Sequence, residues 1–371
     1  MTNTEWKEYK LGEIYEVHNG LSKGREFFGS GYPFISFSTV FNKWFIPEII
    51  TDLAQTTESE QESYSIKAGD ILVTRTSETA DELGMSCVAL RDIPNATYNG
   101  FCKRMRQYNK DVDVDPKYVG YYMRNPEFRK NFQAFAGSMS TRASLTNDAL
   151  LGLTIKLPPL AEQQRIAKNL SSLDEKIELN NAINRNLEEQ VKTLYTKLFV
   201  KERNGKDGLL GELISIKYGK DHKKLADGQY PVYGSGGIMR YVDQFLYDQE
   251  SVLIPRKGSL NNVMYVNEPF WSVDTMFYTE MKRPDIAKYI FIFLSSQNLE
   301  SLNAGSAVPS MTTDILNAMK ILIPNNDVLA EFENFAAPIY RKITDNTKEN
   351  KELTSIRDSL LPKLMSGGLG R

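Results

Sequence analysis

Between residues 160 and 200 the apolar positions Ile166, Leu170, Leu173 and Ile177, then Leu187, Val191, Leu194 and Leu198, recur at alternating steps of four and three. That rhythm is the seam of a coiled coil rather than a broad amphipathic face. Two rungs are filled by Asn180 and Asn184, polar residues where the seam calls for aliphatics. Near the C-terminus, Phe332, Ala336, Ile339, Ile343, Leu353, Leu360 and Leu364 repeat the pattern at a constant offset, and Asn346 and Asn350 occupy the same two gaps. Two copies of one seam in a single chain invite pairing with each other. An antiparallel pair, with Asn180 and Asn184 facing Asn346 and Asn350, gathers the asparagines into one polar layer that fixes register, on a pseudo-twofold axis. The alternative is that the asparagines face solvent.

The second helix carries two interruptions. Pro338 lies where the helix should already be running, so the sequence predicts a short helix before it and a main helix from there to about Leu361, ending near Pro362. Arg357 replaces the aliphatic Val191 of the first helix, which predicts a weaker or partly exposed rung.

The duplication extends beyond the helices. Leu11-Gly12-Glu13-Ile14 is echoed by Leu210-Gly211-Glu212-Leu213, and each leads into a glycine and basic stretch, Asn19-Gly20-Leu21-Ser22-Lys23 and Tyr218-Gly219-Lys220. Gly31-Tyr32-Pro33-Phe34-Ile35 answers Gln229-Tyr230-Pro231-Val232-Tyr233, and Ile71-Leu72-Val73-Thr74-Arg75 answers Val252-Leu253-Ile254-Pro255-Arg256. Gly137-Ser138 matches Gly305-Ser306, and Ile155-Lys156-Leu157-Pro158 matches Ile321-Leu322-Ile323-Pro324. The offset shrinks after the first matches, which places an insertion between Phe37 and Tyr64, around Trp44 and the acidic run from Glu58 to Glu62. Short runs near residues 71–74, 86–90, 252–255 and 263–266 read as strands. Helical spacing covers 116–135 and 284–303, with Pro116 and Pro284 as openers. The expected architecture is α+β: two mixed α/β globular domains in a pseudo-twofold repeat, joined by two long helices forming an antiparallel coiled coil. The boundaries are residues 1–157, 158–201, 202–324 and 325–371. The polar, glycine-punctuated junction 201–208 separates the halves. In this arrangement the two domains stand at opposite ends of a rod.

A chain of 371 residues has room for two or three domains. No apolar run approaches a membrane span and the opening residues lack a signal-peptide segment, so no membrane partner and a cytoplasmic location are expected. Cys87 and Cys102 have no metal-ligand spacing and read as free buried thiols. With a formal net charge of −2, the chain does not coat nucleic acid by bulk electrostatics, although local basic loops remain open to that role.

A catalytic constellation is missing. His18 and His222 form no metal-binding or nucleophilic cluster, and neither a phosphate-cradling loop nor a dinucleotide fingerprint occurs. Leu157-Pro158-Pro159-Leu160 superficially resembles an amino-methyltransferase motif but lacks its flanking Asn or Asp and its aromatic; a rigid lead-in to the helix explains it better. The chemistry on offer is recognition. Basic and amide residues cluster in the glycine-rich loops: His18, Asn19, Lys23, Arg25, Arg75, Lys103, Arg104, Arg106 and Arg142 in the first copy. The second copy has Lys220, His222, Lys223, Lys224, Arg240, Arg256, Lys257, Asn261 and Asn262. Arg and Lys read guanine edges or hold phosphates, and Asn pairs with adenine. The DNA-contact set drawn from these is Lys23, Arg25, Arg75, Lys103, Arg104, Arg142, Lys220, Lys223, Lys224, Arg256, Lys257 and Asn261.

The segment LPPLAEQQRIA, continuing through DEKIELN to LYTKLF, resembles the central conserved helix of specificity subunits of Type I restriction-modification enzymes. KITDNTKENKELTSIRDSLLPKLMSG is similar to their distal conserved helix, and the opening Trp6-Lys7-Glu8-Tyr9-Lys10-Leu11-Gly12-Glu13-Ile14 to the start of their target recognition domains. The resemblance implies a non-catalytic subunit in which each globular domain reads half of a bipartite double-stranded DNA site. The helices would set the gap and dock methyltransferase subunits, two being expected, with restriction and translocation subunits added for cleavage. S-adenosylmethionine and ATP would belong to those partners, leaving this chain without a cofactor. A fused modification and cleavage partner is a close variant. A two-headed protein-binding scaffold with a coiled-coil spacer is the alternative from another class.

Overall fold

A computed structural model describes residues 5–77, 82–136, 143–302 and 310–367. The chain divides into two units, residues 1–179 with 349–371 and residues 180–348. The division falls inside both long helices, Leu160–Tyr195 and Asn326–Met365.

In the first unit a four-stranded antiparallel sheet runs in the order Tyr15–Asn19, Cys102–Gln107, Ile71–Thr74 and Ser86–Val88. A three-stranded sheet places Phe28–Ile35 between Leu53–Ala54 and Thr97–Tyr98. Lys7–Lys10 pairs antiparallel with Thr154–Leu157, just before the first long helix. The second unit repeats each piece. Its four strands are Ile214–Tyr218, Met276–Met281, Ser251–Pro255 and Met264–Val266. Its three-stranded sheet centres on Asp227–Gly234, between Gly237–Val242 and Trp271–Ser272. Gly205–Leu209 pairs with Lys320–Pro324, so the polar junction is itself a strand.

The insertion in the first copy contains two short helices, Phe37–Asn42 and Glu58–Ser63, where the second copy makes a tight hairpin. The acidic run is the second of these helices, and Thr57 and Glu60 close its N-terminus as a capping box.

Each unit buries its own core against the ends of the helices. Ile166, Ala167, Leu170, Leu361, Leu364 and Met365 join the first; Val191, Tyr195, Leu198, Phe199, Phe332 and Ala336 join the second. Within the second unit Tyr195 meets Phe332 and Asn184 meets Asn346, so the helices run antiparallel. The first unit has the same sense, from Asp174 on Arg357 and Lys176 on Glu349. Every predicted seam position is buried or half-buried.

Three local expectations are corrected and a fourth is refined. The second helix does not break at Pro338: it runs unbroken from Asn326 to Met365 and takes in Pro362 as well. Pro338 and Asn334 both lie on the exposed face, where the carbonyl that loses its helical donor meets water rather than apolar core. Arg357 is half-buried, in keeping with a partly exposed rung, but it does not simply interrupt the seam: its side chain is 13% exposed and ion-paired with Asp174 at 2.7 Å. Residues 116–135 do not make one helix. Pro116–Arg124 and Pro126–Ala136 are separated by Asn125, held extended at ψ 131° by the proline that follows it. Pro284 does not open its helix, which begins at Ala287 after a turn with Asp285 at φ +59°.

Candidate nucleic-acid interface

The repeated Asn-Gly and Tyr-Gly steps have one structural cause. Gly20 N–H donates to the Cys102 carbonyl and Leu21 N–H to the Tyr98 carbonyl; Gly219 and Lys220 do the same with Met276 and Ser272. A Cβ on either glycine would strike the backbone carbonyl of Asn99 or Val273. This crossing delivers a basic loop to one end of each four-stranded sheet.

In the first unit Lys23 is engaged three ways: with Glu60 at 2.8 Å, with the Gln55 carbonyl at 2.6 Å, and over the Phe27 ring at 4.9 Å. The Lys23 hydrogen bond holds the Glu60 carboxyl below the usual carboxylate range. Arg25 is exposed, and Phe27, Phe28 and Tyr32 in the same stretch of chain are exposed as well. Arg75 follows the strand Ile71–Thr74 and is half-buried, with an Nε that has no partner among the described residues.

Lys103, Arg104 and Arg106 lie on a sheet strand, Cys102–Gln107, rather than in a loop. Lys103 is buried and donates to Asn147; burial, then the charge of Arg75, lowers its pKa. Arg104 is buried against the Tyr98 ring and donates to the Ser65 carbonyl at 2.6 Å. Arg106 forms a two-pronged pair with Asp70 at 2.8 and 2.6 Å. Arg142 lies outside the described residues, as do Gly137-Ser138 and Gly305-Ser306.

In the second unit Lys220, Lys223, Lys224 and Lys257 are exposed. Arg256 follows the strand Ser251–Pro255, as Arg75 follows its counterpart, and its guanidinium lies 5.4 Å from the Tyr218 ring centre. Asn261 spends its amide locally: Oδ1 accepts from Glu300 N–H at 3.2 Å and Nδ2 faces Asn298. Arg240 is paired with Asp227 at 2.9 Å. Thus Arg75 and Arg256 share one position, while the buried Lys103 and Arg104 are answered by Phe277 and Tyr278, which line the second core.

The sequence reading missed the apolar component. Phe27, Phe28, Tyr32 and Phe101 in the first unit, and Ile238, Met239 and Tyr241 in the second, are large side chains between 38% and 61% exposed. The signal available was Gly234-Ser235-Gly236-Gly237 leading straight into Ile238-Met239, a tight turn followed by apolar residues. Cations beside exposed rings suit a duplex, whose backbone takes the charge and whose bases take the apolar contacts.

Among the described residues no group of three or more His, Cys, Asp and Glu could hold a metal ion, and no helix is long and apolar enough to cross a membrane. Cys87 and Cys102 are free and buried, and burial pushes each thiol up to about 12.

Comparison with known proteins bears on both units. The Type I restriction modification DNA specificity domain matches residues 3–189 and again 206–353. The chain is 23% identical to the Type I restriction enzyme HindI specificity subunit of Haemophilus influenzae, covering 98% of this chain and 99% of that one. It is also 23% identical to a putative Type I MjaX specificity subunit of Methanocaldococcus jannaschii, over 98% and 93%. A crystal structure of a Type I restriction-modification S subunit from M. genitalium superposes with a TM-score of 0.60 at 18% identity, over 98% and 97% of the two chains.

Proposed function

The chain belongs to the family of the Type I restriction modification DNA specificity domain, and from that premise we propose that it is the DNA-reading subunit of such a system. Residues 1–157 and 202–324 act as two target recognition domains, each reading one half of a bipartite duplex site. The helices in 158–201 and 325–371 set the gap and dock methyltransferase subunits, two per chain, to which restriction and translocation subunits add. The protein itself is non-catalytic; methyl transfer and ATP-driven cleavage reside in those partners, and the complex works in the cytoplasm.

The observation that carries this reading is the repetition of the specificity domain over both copies of a duplicated sheet architecture. The exposed Lys220, Lys223, Lys224 and Lys257 supply phosphate contacts, and Arg75 and Arg256, at one shared position, supply an Arg to each half. The near-neutral net charge fits a chain whose partners close positive surface around the duplex.

A gel-shift titration of this chain together with its methyltransferase subunit tests the proposal. The expected result is sequence-selective binding that weakens steeply with salt. An assembled complex with no sequence preference at any salt concentration removes the DNA-reading function and leaves the two-headed scaffold.

A further inference from the structure

The tight turn of the second unit's hairpin has no counterpart in the first, where the insertion separates the paired strands Phe28–Ile35 and Leu53–Ala54. Its strands, Asp227–Gly234 and Gly237–Val242, meet at the Gly234 and Gly237 pair, so Ser235 and Gly236 alone form the turn. Successive strand residues point to opposite faces of a sheet. The register shift between Val232 and Tyr233 makes Met239 the extra residue of a bulge, where that alternation breaks, and Ile238 and Met239 are both exposed, at 39% and 61%, with Met239 lying beside Gly234. Gly237 needs its φ of +112°, whereas a Cβ on Gly236 would meet nothing within contact distance. The space around the turn is open.

Cationic loops lie on two sides of this tip and are tied to it. Lys220 N–H donates to the Ser272 carbonyl, and Ser272 is the parallel partner of Tyr233, two residues before the turn. Gly258 lies against Ser235, and Asn262 Nδ2 donates to the Ser235 carbonyl at 2.8 Å. Exposed Lys220 and Lys257, with Arg256, therefore surround an apolar point that the core does not use. Within the collar Arg240 is neutralised by Asp227.

We propose that Met239, supported by Ile238, is a specificity-determining residue of the second half-site, pressing its apolar tip on base edges while the lysines hold the flanking phosphates. This rests on the DNA-reading function above. The charge complementarity selects a duplex as the occupant, and the thymine 5-methyl is the apolar feature that a major groove offers to such a tip. The alternative occupant, an apolar protein surface, gains nothing from three cations around its rim.

The test uses the full chain assembled with its methyltransferase subunit and a pool of duplexes randomised through the second half-site. Met239→Ala and Ile238→Ala, both at exposed positions, should relax preference about tenfold at one or two adjacent base pairs, and leave the first half-site and the salt dependence unchanged. Lys223→Ala should instead weaken all sequences alike. A selective wild-type complex whose preferences survive both tip substitutions overturns the assignment to Met239 and leaves the DNA-reading function standing. So does a tip variant that loses methyltransferase assembly instead of base preference. A wild-type complex without any preference overturns both.

Discussion

Asn346 donates its side-chain amide to Asn184 Oδ1 across 2.7 Å, and both side chains are buried in the helix pair. Truncating one partner strands the other, which costs about 1–3 kcal/mol for a buried amide. Asn346→Leu should therefore lower the denaturation midpoint, and Asn184→Leu should do likewise. The double Leu variant should regain most of the loss, because the two amides that bond each other leave together and both rungs become aliphatic. Urea unfolding monitored by circular dichroism reads all three. A double variant as unstable as the sum of the singles would show that the asparagines do something besides bond each other.

Arg357 and Asp174 make the second polar rung, and it is built differently. The guanidinium donates to Asp174 Oδ1 at 2.7 Å, reaches Asp358 at 2.8 Å, and lies 4.7 Å from the Trp44 ring centre. Tyr121 donates its hydroxyl to the other Asp174 oxygen at 2.6 Å and packs against Trp44. A double-mutant cycle on Arg357→Ala and Asp174→Ala should return a coupling of about 0.5–3 kcal/mol. Trp44→Ala should reduce that coupling, since it removes the ring over which the guanidinium lies. A coupling near zero would mean the pair behaves as a surface ion pair despite its burial.

The two seams were legible because a period of seven needs only apolar positions in order, and the duplication was legible because strand cores keep their order. Ile71–Thr74 matches its expected limits to the residue. Pro338 misled because a proline rule describes an isolated helix, whereas here core packing at Phe332, Ala336 and Tyr340 carries the chain through it. The pairing of Arg357 was not legible because its partners Asp174 and Trp44 are distant in sequence, one of them inside the insertion. The basic cluster was the least legible part. Charge count cannot tell exposed Lys223 from Lys103, whose ammonium is spent on Asn147.

That difference yields a contrast of two phenotypes. Lys223→Ala and Lys224→Ala should each lower DNA affinity for every sequence and reduce the slope of log affinity against log salt by about 1, with unfolding unchanged. Lys103→Ala and Arg104→Ala should lower the melting temperature first, because each removes a buried side chain that is hydrogen-bonded within the fold. Equal melting temperatures for all four variants would contradict the division between surface and interior cations.

Burial raises Cys87 and Cys102 from an ordinary 9.0 to about 12, so both stay neutral thiols in the folded protein at pH 8. The thiolate is the reactive form. Ellman's reagent should find no fast-reacting thiol in the native chain and two after denaturation. Because the folded values lie above the unfolded ones, their effect on stability is absent below about pH 9. Stability should then fall as pH rises from 9 toward 12, where only the unfolded chain releases those protons. A fast native reaction at either cysteine would place it at the surface.

The helix pair offers the most direct test of how two readers are spaced. The seam repeats every seven residues and the helices run antiparallel within each unit, so removing one heptad from opposed positions restores the same packing in a shorter pair. Seven residues span about 10.5 Å of helix, on the order of three base pairs of duplex. If the pair sets the gap, methylation mapping of the shortened variant should return both half-sites unchanged with a gap altered on that scale. The Asn184 and Asn346 bond must be kept, since losing it frees the register that the experiment relies on. Altered half-sites with an unchanged gap would mean that spacing is set within the recognition domains, and the helices would then serve only to dock partners.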